Sequence, residues 1–258
     1  MHLSAGAIAK SVWLYVAATG VCLSIIPPQP KPPDDLREKF AYPLPISSGE
    51  SSSANQTVVA DSPIPRWFDY KTASATFTLS YFPYLFSAWV TVMSILDTFH
   101  ALDLFPRIIP VDHTTTARTF NAQLTVGLIL TCASTALRFA SFQTLGRLFT
   151  FQLAILPDHK LVTHGVYSYV RHPSYTATPF IFAGVLLTVT APGSVLYDLL
   201  GETSTRVLMV VLGLAAACGS YVLVGRAEVE DQVLRKEFGR EWEEWAQVVR
   251  YKFVPGVL

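Results

Sequence analysis

The chain has 258 residues, of which 51% are hydrophobic and only 15% are charged. Soluble domains carry about 25% charged residues, so this composition argues against a soluble protein. Lys and Arg together number 19, as do Asp and Glu, and a net charge of zero gives the chain no overall attraction to nucleic acid. The abundance of Phe, Leu, Val and Tyr excludes a disordered chain, which leaves an integral membrane protein.

Five uncharged, apolar runs stand out as candidate membrane-spanning helices, each of which needs roughly 20 residues. Helices satisfy their own backbone in lipid, and these runs are too long to be barrel strands. The sequence therefore predicts an all-α fold, a polytopic membrane helix bundle with about five transmembrane helices. The runs cover residues 11–26, 72–96, 119–137, 173–197 and 207–225.

The first run extends toward Leu3 if the Lys10 side chain snorkels to the interface. A cleaved signal peptide is the alternative interpretation of this run. We favour an anchor, because the run lacks a charged start and a clear small-residue cleavage site.

Positive charge lies mainly on one side of this predicted topology. The loop 27–71, the loop 138–172 and the tail from Arg226 hold 15 of the 19 Lys and Arg residues, and the opposite side holds 4. Cytosolic segments carry an excess of Lys and Arg. The loop 138–172 and the tail are therefore predicted to face the cytosol.

The chain divides into two predicted regions. Residues 1–137 form N-terminal membrane helices with a Pro/Ser-rich loop, 27–71, whose composition indicates flexibility. Residues 138–258 hold two further membrane helices and a charged tail. In the tail, apolar residues at three- and four-residue spacing predict an amphipathic helix from Arg226 that Gly239 breaks or kinks. Its apolar face must bury against either the lipid interface or the 138–172 loop.

The segment 143–175 gathers His, Tyr and Arg residues between the third and fourth predicted spans. On composition alone these residues could be simple interface anchors. Their order is more specific. It reads His159-Lys160-Leu161-Val162-Thr163-x-Gly165-Val166-Tyr167, then Arg171-His172-Pro173-Ser174-Tyr175, then Arg226-x-Glu228-x-Glu230 and Phe238-Gly239. This pattern resembles the isoprenylcysteine carboxyl methyltransferase family over roughly residues 138–255.

The resemblance implies a multi-pass enzyme of the endoplasmic reticulum membrane, with its active site facing the cytosol. Such an enzyme methylates the C-terminal carboxylate of the prenylated cysteine on processed CaaX proteins, with S-adenosyl-L-methionine as cofactor. Its partners are then a prenylated protein C-terminus and the lipid bilayer, with no nucleic acid and no metal. The cofactor site is expected between a cytosolic loop and the amphipathic C-terminal helix.

The family's functional positions can be carried over residue by residue. The resemblance assigns Arg226 to the substrate carboxylate and to catalysis. Two departures, Ala177 for a usual Gly and Val166 for a frequent Pro, remove no functional group. The positions assigned to the cofactor are Gln152, His159, Lys160, Leu161, Val162, Tyr167, His172, Pro173, Ser174, Tyr175 and Glu230.

The residue chemistry fits this reaction. A carboxylate of pKa about 3.5 is already ionised at neutral pH, so its methylation needs no general base. Arg226 offers a planar fork for the substrate carboxylate, and Glu230 can hold an ammonium or ribose hydroxyls of the cofactor. The two residues are four apart, so they share one face of a helix. A plain surface salt bridge between them is the alternative.

Three other functions remain open. A phospholipid N-methyltransferase of the same superfamily has an amine as nucleophile, for which Arg226 is a poor partner. A sterol reductase that uses NADPH carries a similar His-Pro and Glu pattern, but such proteins are usually longer. A membrane scaffold without a cofactor is the non-enzyme alternative, against which the intact motif residues weigh.

Overall fold

A computed structural model of the protein describes residues 5–25, 82–101, 120–149 and 159–256. Within these ranges the chain forms helices and no strand, which confirms the all-helical prediction. Short 3₁₀ turns lie at Gly146–Leu148 and Gly165–Ser168. The helices are α1 (Ala5–Ile25), α2 (Phe82–Ala101), α3 (Ala122–Leu145), α4 (Pro173–Val189), α5 (Val195–Phe238) and α6 (Arg240–Val248).

Among the described residues, three helical segments are long and apolar enough to cross a membrane. They are Ala5–Ser24, Ala122–Leu148 and Val195–Phe238. The other two predicted spans coincide with shorter apolar helices, Leu85–Phe99 and Pro173–Val189. The apolar character is thus confirmed, while the number of five spans stays a prediction.

A turn divides the fourth predicted span, residues 173–197. The predicted C-terminal end of this span is therefore wrong. Helix α4 ends at Val189 and α5 begins at Val195. Between them Gly193 has a φ of 79°, a backbone conformation that favours glycine. Ser194 then caps α5, because its hydroxyl accepts the N–H of Tyr197 at 3.2 Å.

Two buried charged side chains hold this turn. Lys10 of α1 donates from Nζ to the carbonyl of Gly193 at 2.8 Å, and Asp97 of α2 accepts the N–H of Val195 at 2.6 Å. Lys10 is only 1% exposed, so its ammonium lies inside the helix bundle, while its snorkelling to an interface stays a prediction. The carbonyl of Gly193, just beyond the end of α4, gives this buried group a hydrogen-bond acceptor.

Helices α3 and α4 approach each other closely through two glycines. A Cβ at Gly127 would lie 2.7 Å from Oγ1 of Thr188, and a Cβ at Gly184 would lie 2.7 Å from the backbone N of Thr131. Small residues at a helix interface let two backbones come close together. The resulting van der Waals contacts favour association of helices in lipid, where the hydrophobic effect does not. The contact fixes α4, whose first turn carries part of the motif, against α3.

Helix α5 extends from the bundle well beyond its apolar part. It is 44 residues long and kinks at Gly201, where φ is 77°. The fifth predicted span and the start of the predicted amphipathic helix are therefore one continuous element. Gly239, with a φ of 53°, ends α5 before α6, which confirms the predicted break. Arg226 and Glu230 thus lie on a direct continuation of a helix that can span the membrane.

Candidate active site

Residues 159–172, called the motif loop below, lead into α4. Gly165 takes a φ of 62° there, and a Cβ at this position would meet the Thr144 side chain of α3 at 3.0 Å. The turn that follows buries Tyr167 in an apolar cluster with Trp245 and Val249. The apolar face of the C-terminal helix therefore packs on the motif loop, one of the two partners predicted for it.

A chain of hydrogen bonds joins Arg226, Tyr175 and Glu230. Nε of Arg226 donates to the hydroxyl of Tyr175 at 2.7 Å, and that hydroxyl donates to Oε2 of Glu230 at 2.7 Å. Arg226 is 9% exposed, whereas 31% of the Glu230 side chain is exposed. Because charged groups stand at both ends, each bond is of the stronger, charge-assisted kind. Three residues predicted for the site, from two motifs about 50 residues apart, are thus linked directly through the Tyr175 hydroxyl.

His172 stands beside this chain with both ring nitrogens near carboxylates. Its Nε2 lies 3.0 Å from Oδ1 of Asp231, and its Nδ1 lies 3.9 Å from Oε2 of Glu230. The imidazole stacks on the Tyr175 ring, with centroids 5.5 Å apart and planes 8° apart. These contacts fix the orientation of a side chain that is only 5% exposed.

Asp231 is a central residue that sequence reasoning missed. It is 6% exposed and pairs with His172, with Arg171 at 3.5 Å and with Lys252 at 4.0 Å. Lys252 also pairs with Glu228. A buried carboxylate is tolerated when cations compensate it in this way. The one sequence feature that could have indicated Asp231 is its position next to Glu230. Its partners could not be predicted from local spacing, because they lie about 60 residues before it and 21 residues after it.

Residues 251–253, called the C-terminal strap below, hold the end of the motif loop through backbone atoms. The carbonyl of Tyr251 accepts the N–H of Arg171 at 3.0 Å, and that of Lys252 accepts the N–H of His172 at 2.8 Å. The carbonyl of Phe253 accepts the Thr176 hydroxyl at 2.8 Å. The strap therefore completes the site from the far end of the described chain.

Arg138 is a second residue that the sequence did not indicate. It is 8% exposed on α3, and its Nε donates to the carbonyl of Ser24 at 2.7 Å. Its Nη1 donates to the hydroxyl of Ser174 at 2.9 Å and to that of Thr178 at 2.6 Å. The end of α1 is thereby joined to the first turn of α4. Ser174, predicted to face the cofactor, lies 6% exposed against this guanidinium.

Burial shifts two titratable groups of the motif loop. It lowers the pKa of the His159 imidazole below its usual value of 6.5, and the nearby carboxylates of Glu230 and Glu237 oppose this only partly. Burial, followed by the negative charge of Glu230, raises the pKa of the Tyr167 hydroxyl. His159 is therefore favoured in its neutral form, and Tyr167 stays protonated.

The remaining predicted residues take different places. Pro173 is buried in the first turn of α4, and Lys160 is exposed. Leu161 and Val162 pack beside Tyr167, in the cluster that also contains Trp245. Gln152 lies outside the described residues.

The polar groups fit a cationic cofactor that contains an adenine and hydroxyls. Glu230 is a partly exposed carboxylate beside the stacked His172 and Tyr175 rings, and aromatic faces attract cations. Nδ1 of His159 is buried with no hydrogen-bond partner among the described residues, so it can accept one from a ligand. In the same parts of the chain, no three His, Cys, Asp or Glu side chains are grouped to hold a metal ion.

Comparison with known proteins agrees with the motifs. Residues 127–234 match the isoprenylcysteine carboxyl methyltransferase (ICMT) family. Two relatives, from Oryza sativa subsp. indica and Oryza sativa subsp. japonica, are each named "Probable protein-S-isoprenylcysteine O-methyltransferase" and are 34% identical over 126 residues. The alignment covers 48% of this chain and 57% of each relative, so the chain spans little more than half of the relatives it matches. No solved structure matches the chain. The resemblance stated from the sequence is confirmed.

Proposed function

Since residues 127–234 match the isoprenylcysteine carboxyl methyltransferase family, we propose that the protein methylates the C-terminal carboxylate of a prenylated cysteine on processed CaaX proteins. S-adenosyl-L-methionine is the proposed methyl donor. The observation that carries the proposal is the chain from Arg226 through Tyr175 to Glu230. It sets a group suited to a carboxylate beside a group suited to a cationic cofactor.

Arg226 is the residue proposed to hold the substrate carboxylate. The residue is buried within α5, just after the uncharged run 207–225 that can span the membrane, which is where a lipid-anchored C-terminus would arrive. Guanidinium and carboxylate match in bidentate geometry, and a buried cation gains more from an anion than an exposed one does. Tyr175 holds Nε, which fixes the plane of the guanidinium.

Glu230 and the motif loop are proposed to hold the cofactor. Glu230 can accept from an ammonium or from ribose hydroxyls. The neutral His159 can bond the adenine or an amino-acid group without adding positive charge. Gln152, Lys160, Leu161 and Val162 complete the proposed cofactor site, with Tyr167, Pro173 and Ser174 shaping the loop around it.

The protein has to position and desolvate the reactants, since no general base is needed. Bound S-adenosyl-L-methionine would supply an electrophilic methyl group, which would pass to the carboxylate oxygen as the carbon–sulfur bond breaks, leaving a methyl ester and S-adenosylhomocysteine. A substrate carboxylate of pKa about 3.5 is already ionised. Arg226 orients it, and the Tyr175 hydroxyl holds Arg226 in place.

The proposed setting is the endoplasmic reticulum membrane, with the motif loop and the strap on the cytosolic side. The segments assigned to that side hold 15 of the 19 basic residues, which supports this orientation. A prenyl tail then enters between helices from the lipid. An amine substrate is disfavoured, because a buried Arg226 repels a protonated amine.

The test is transfer of labelled methyl to three acceptors in membranes that contain the full chain. The acceptors are N-acetyl-S-farnesylcysteine, N-acetyl-S-geranylgeranylcysteine and phosphatidylethanolamine. We expect transfer to a prenylcysteine, its loss in Arg226→Ala and its retention in Arg240→Ala, which changes an exposed arginine paired with Glu244. Transfer to phosphatidylethanolamine alone, or none by wild-type protein that binds cofactor, rejects the proposal.

A further inference from the structure

The hydroxyl of Tyr175 links the two halves of the proposed site. It accepts from Nε of Arg226 and donates to Oε2 of Glu230, at 2.7 Å in both cases. Its ring is held independently, by the stack on His172. The hydroxyl is therefore positioned by the ring and shared between the two charged residues.

We propose that this hydroxyl couples the two ligands, so that cofactor bound at Glu230 strengthens the binding of the substrate carboxylate at Arg226. The inference rests on the proposed function. It makes Tyr175 a positioning residue for the substrate as well as a neighbour of the cofactor.

The number of hydrogens gives the first reason. A hydroxyl has one hydrogen to donate, and in this structure it goes to Glu230. A substrate carboxylate at Arg226 would be a second acceptor beside the same oxygen. Once a cationic cofactor satisfies Glu230, the hydroxyl can rotate and donate to the substrate instead. No proton is transferred in this change, and no covalent bond forms or breaks.

Charge gives the second reason, with the same sign. Glu230 and Arg226 contact the same Tyr175 hydroxyl, so the negative charge of Glu230 lies close enough to repel a carboxylate that approaches the guanidinium. A positive group at Glu230 cancels that repulsion. Cofactor and substrate are therefore expected to bind cooperatively, and reciprocity requires that each tightens the other by the same factor.

The experiment measures equilibrium binding of N-acetyl-S-farnesylcysteine to the purified full chain, with and without sinefungin, a cofactor analogue that is not a methyl donor. For wild-type protein we expect sinefungin to tighten this binding about tenfold, within the range usual for coupled sites. In Tyr175→Phe, which keeps the ring stack, the factor falls to about twofold. Tyr169→Phe is the matched control, because Tyr169 lies on the same loop with its side chain 72% exposed, and it keeps the wild-type factor.

A second variant separates coupling from loss of fold. Glu230→Gln keeps the shape and removes the charge, so it should bind the prenylcysteine more tightly than wild type when no cofactor is present. A folding defect cannot produce that gain. Equal coupling in Tyr175→Phe and wild type overturns the inference while methyl transfer by wild type leaves the proposed function standing. Absence of methyl transfer by folded wild type overturns both.

Discussion

Nε2 of His172 lies 3.0 Å from Oδ1 of Asp231, and this contact joins the motif loop to α5. Both side chains are more than nine-tenths buried. The family resemblance identified Glu230 as a site residue. The residue that positions His172 is its neighbour in the sequence, Asp231.

Replacing Asp231 with Ala should destabilise the protein strongly. It leaves Arg171 and Lys252 without their shared carboxylate, and removing one partner of a buried pair costs about 3 kcal/mol or more. Thermal unfolding in detergent measures the loss. Glu244→Ala is the control, since its pair with Arg240 is exposed and is worth under about 1 kcal/mol. Similar stabilities of the two variants would contradict this role of Asp231.

Replacement of Glu230 and of Arg226 by Ala should affect different ligands. Glu230→Ala is expected to weaken cofactor binding about tenfold or more, because it removes a charged hydrogen-bond partner. Arg226→Ala should mainly raise the KM for the prenylated substrate, with cofactor affinity changed by less than about threefold. Calorimetric titration of the cofactor and substrate-dependent rates separate the two effects. Equal losses of cofactor affinity would reject the division of roles.

Arg138 should contribute to stability by joining α1, α3 and α4. Arg138→Ala leaves the buried oxygens of Ser24 and Ser174 unsatisfied, at a cost of about 1–3 kcal/mol for each group. The unfolding midpoint in detergent should fall accordingly. Arg147→Ala, an exposed change just beyond the end of α3, should leave it unchanged. A midpoint for Arg138→Ala within error of wild type would refute the linkage.

Gly184 and Gly213 should respond in opposite directions to the same substitution. Gly184→Ala puts a Cβ against Thr131 of α3, which costs about 1–3 kcal/mol through overpacking. Nothing lies within 4 Å of a Cβ at Gly213 on α5, so Gly213→Ala should stabilise that helix by roughly 0.5–1 kcal/mol. Unfolding of both variants in one detergent gives the comparison. A neutral Gly184→Ala would show that α3 and α4 can separate without penalty.

Acidification should destabilise the protein through His159. Its pKa is lowered in the folded state, so the unfolded chain binds the proton more readily and stability falls as the pH drops below about 6.5. His159→Gln should reduce the difference in stability between about pH 7.5 and about pH 5.5. His164→Gln, an exposed change on the same loop, should keep it. An unchanged pH dependence in His159→Gln would exclude His159 as its source.

Local patterns in the sequence predicted much of the fold. Uncharged runs located the apolar helices, and Gly239 marked the end of α5. Both signals are local, because the length of an apolar run and a glycine at a helix end can be read from consecutive residues. The i,i+4 spacing also placed Arg226 and Glu230 on one face. A contact between the two through Tyr175, which lies about 50 residues earlier, could not be predicted from that spacing.

Partners that are distant in the chain could not be read from spacing. For Lys10 the sequence offered only the local possibility of snorkelling near a helix end, whereas the carbonyl that its ammonium contacts lies 183 residues away. Arg138 and Asp231 were missed for the same reason. Each satisfies a buried charge with groups from two or more other segments, so only the assembled bundle reveals its role.

The C-terminal strap determines when the site can form during synthesis. The carbonyls of Tyr251 and Lys252 hold the N–H groups of Arg171 and His172, which the ribosome makes about 80 residues earlier. The described apolar helices are therefore all synthesised before the loop has its final partners. Until the strap leaves the ribosome, a newly made chain lacks the backbone acceptors that hold Arg171 and His172 in place.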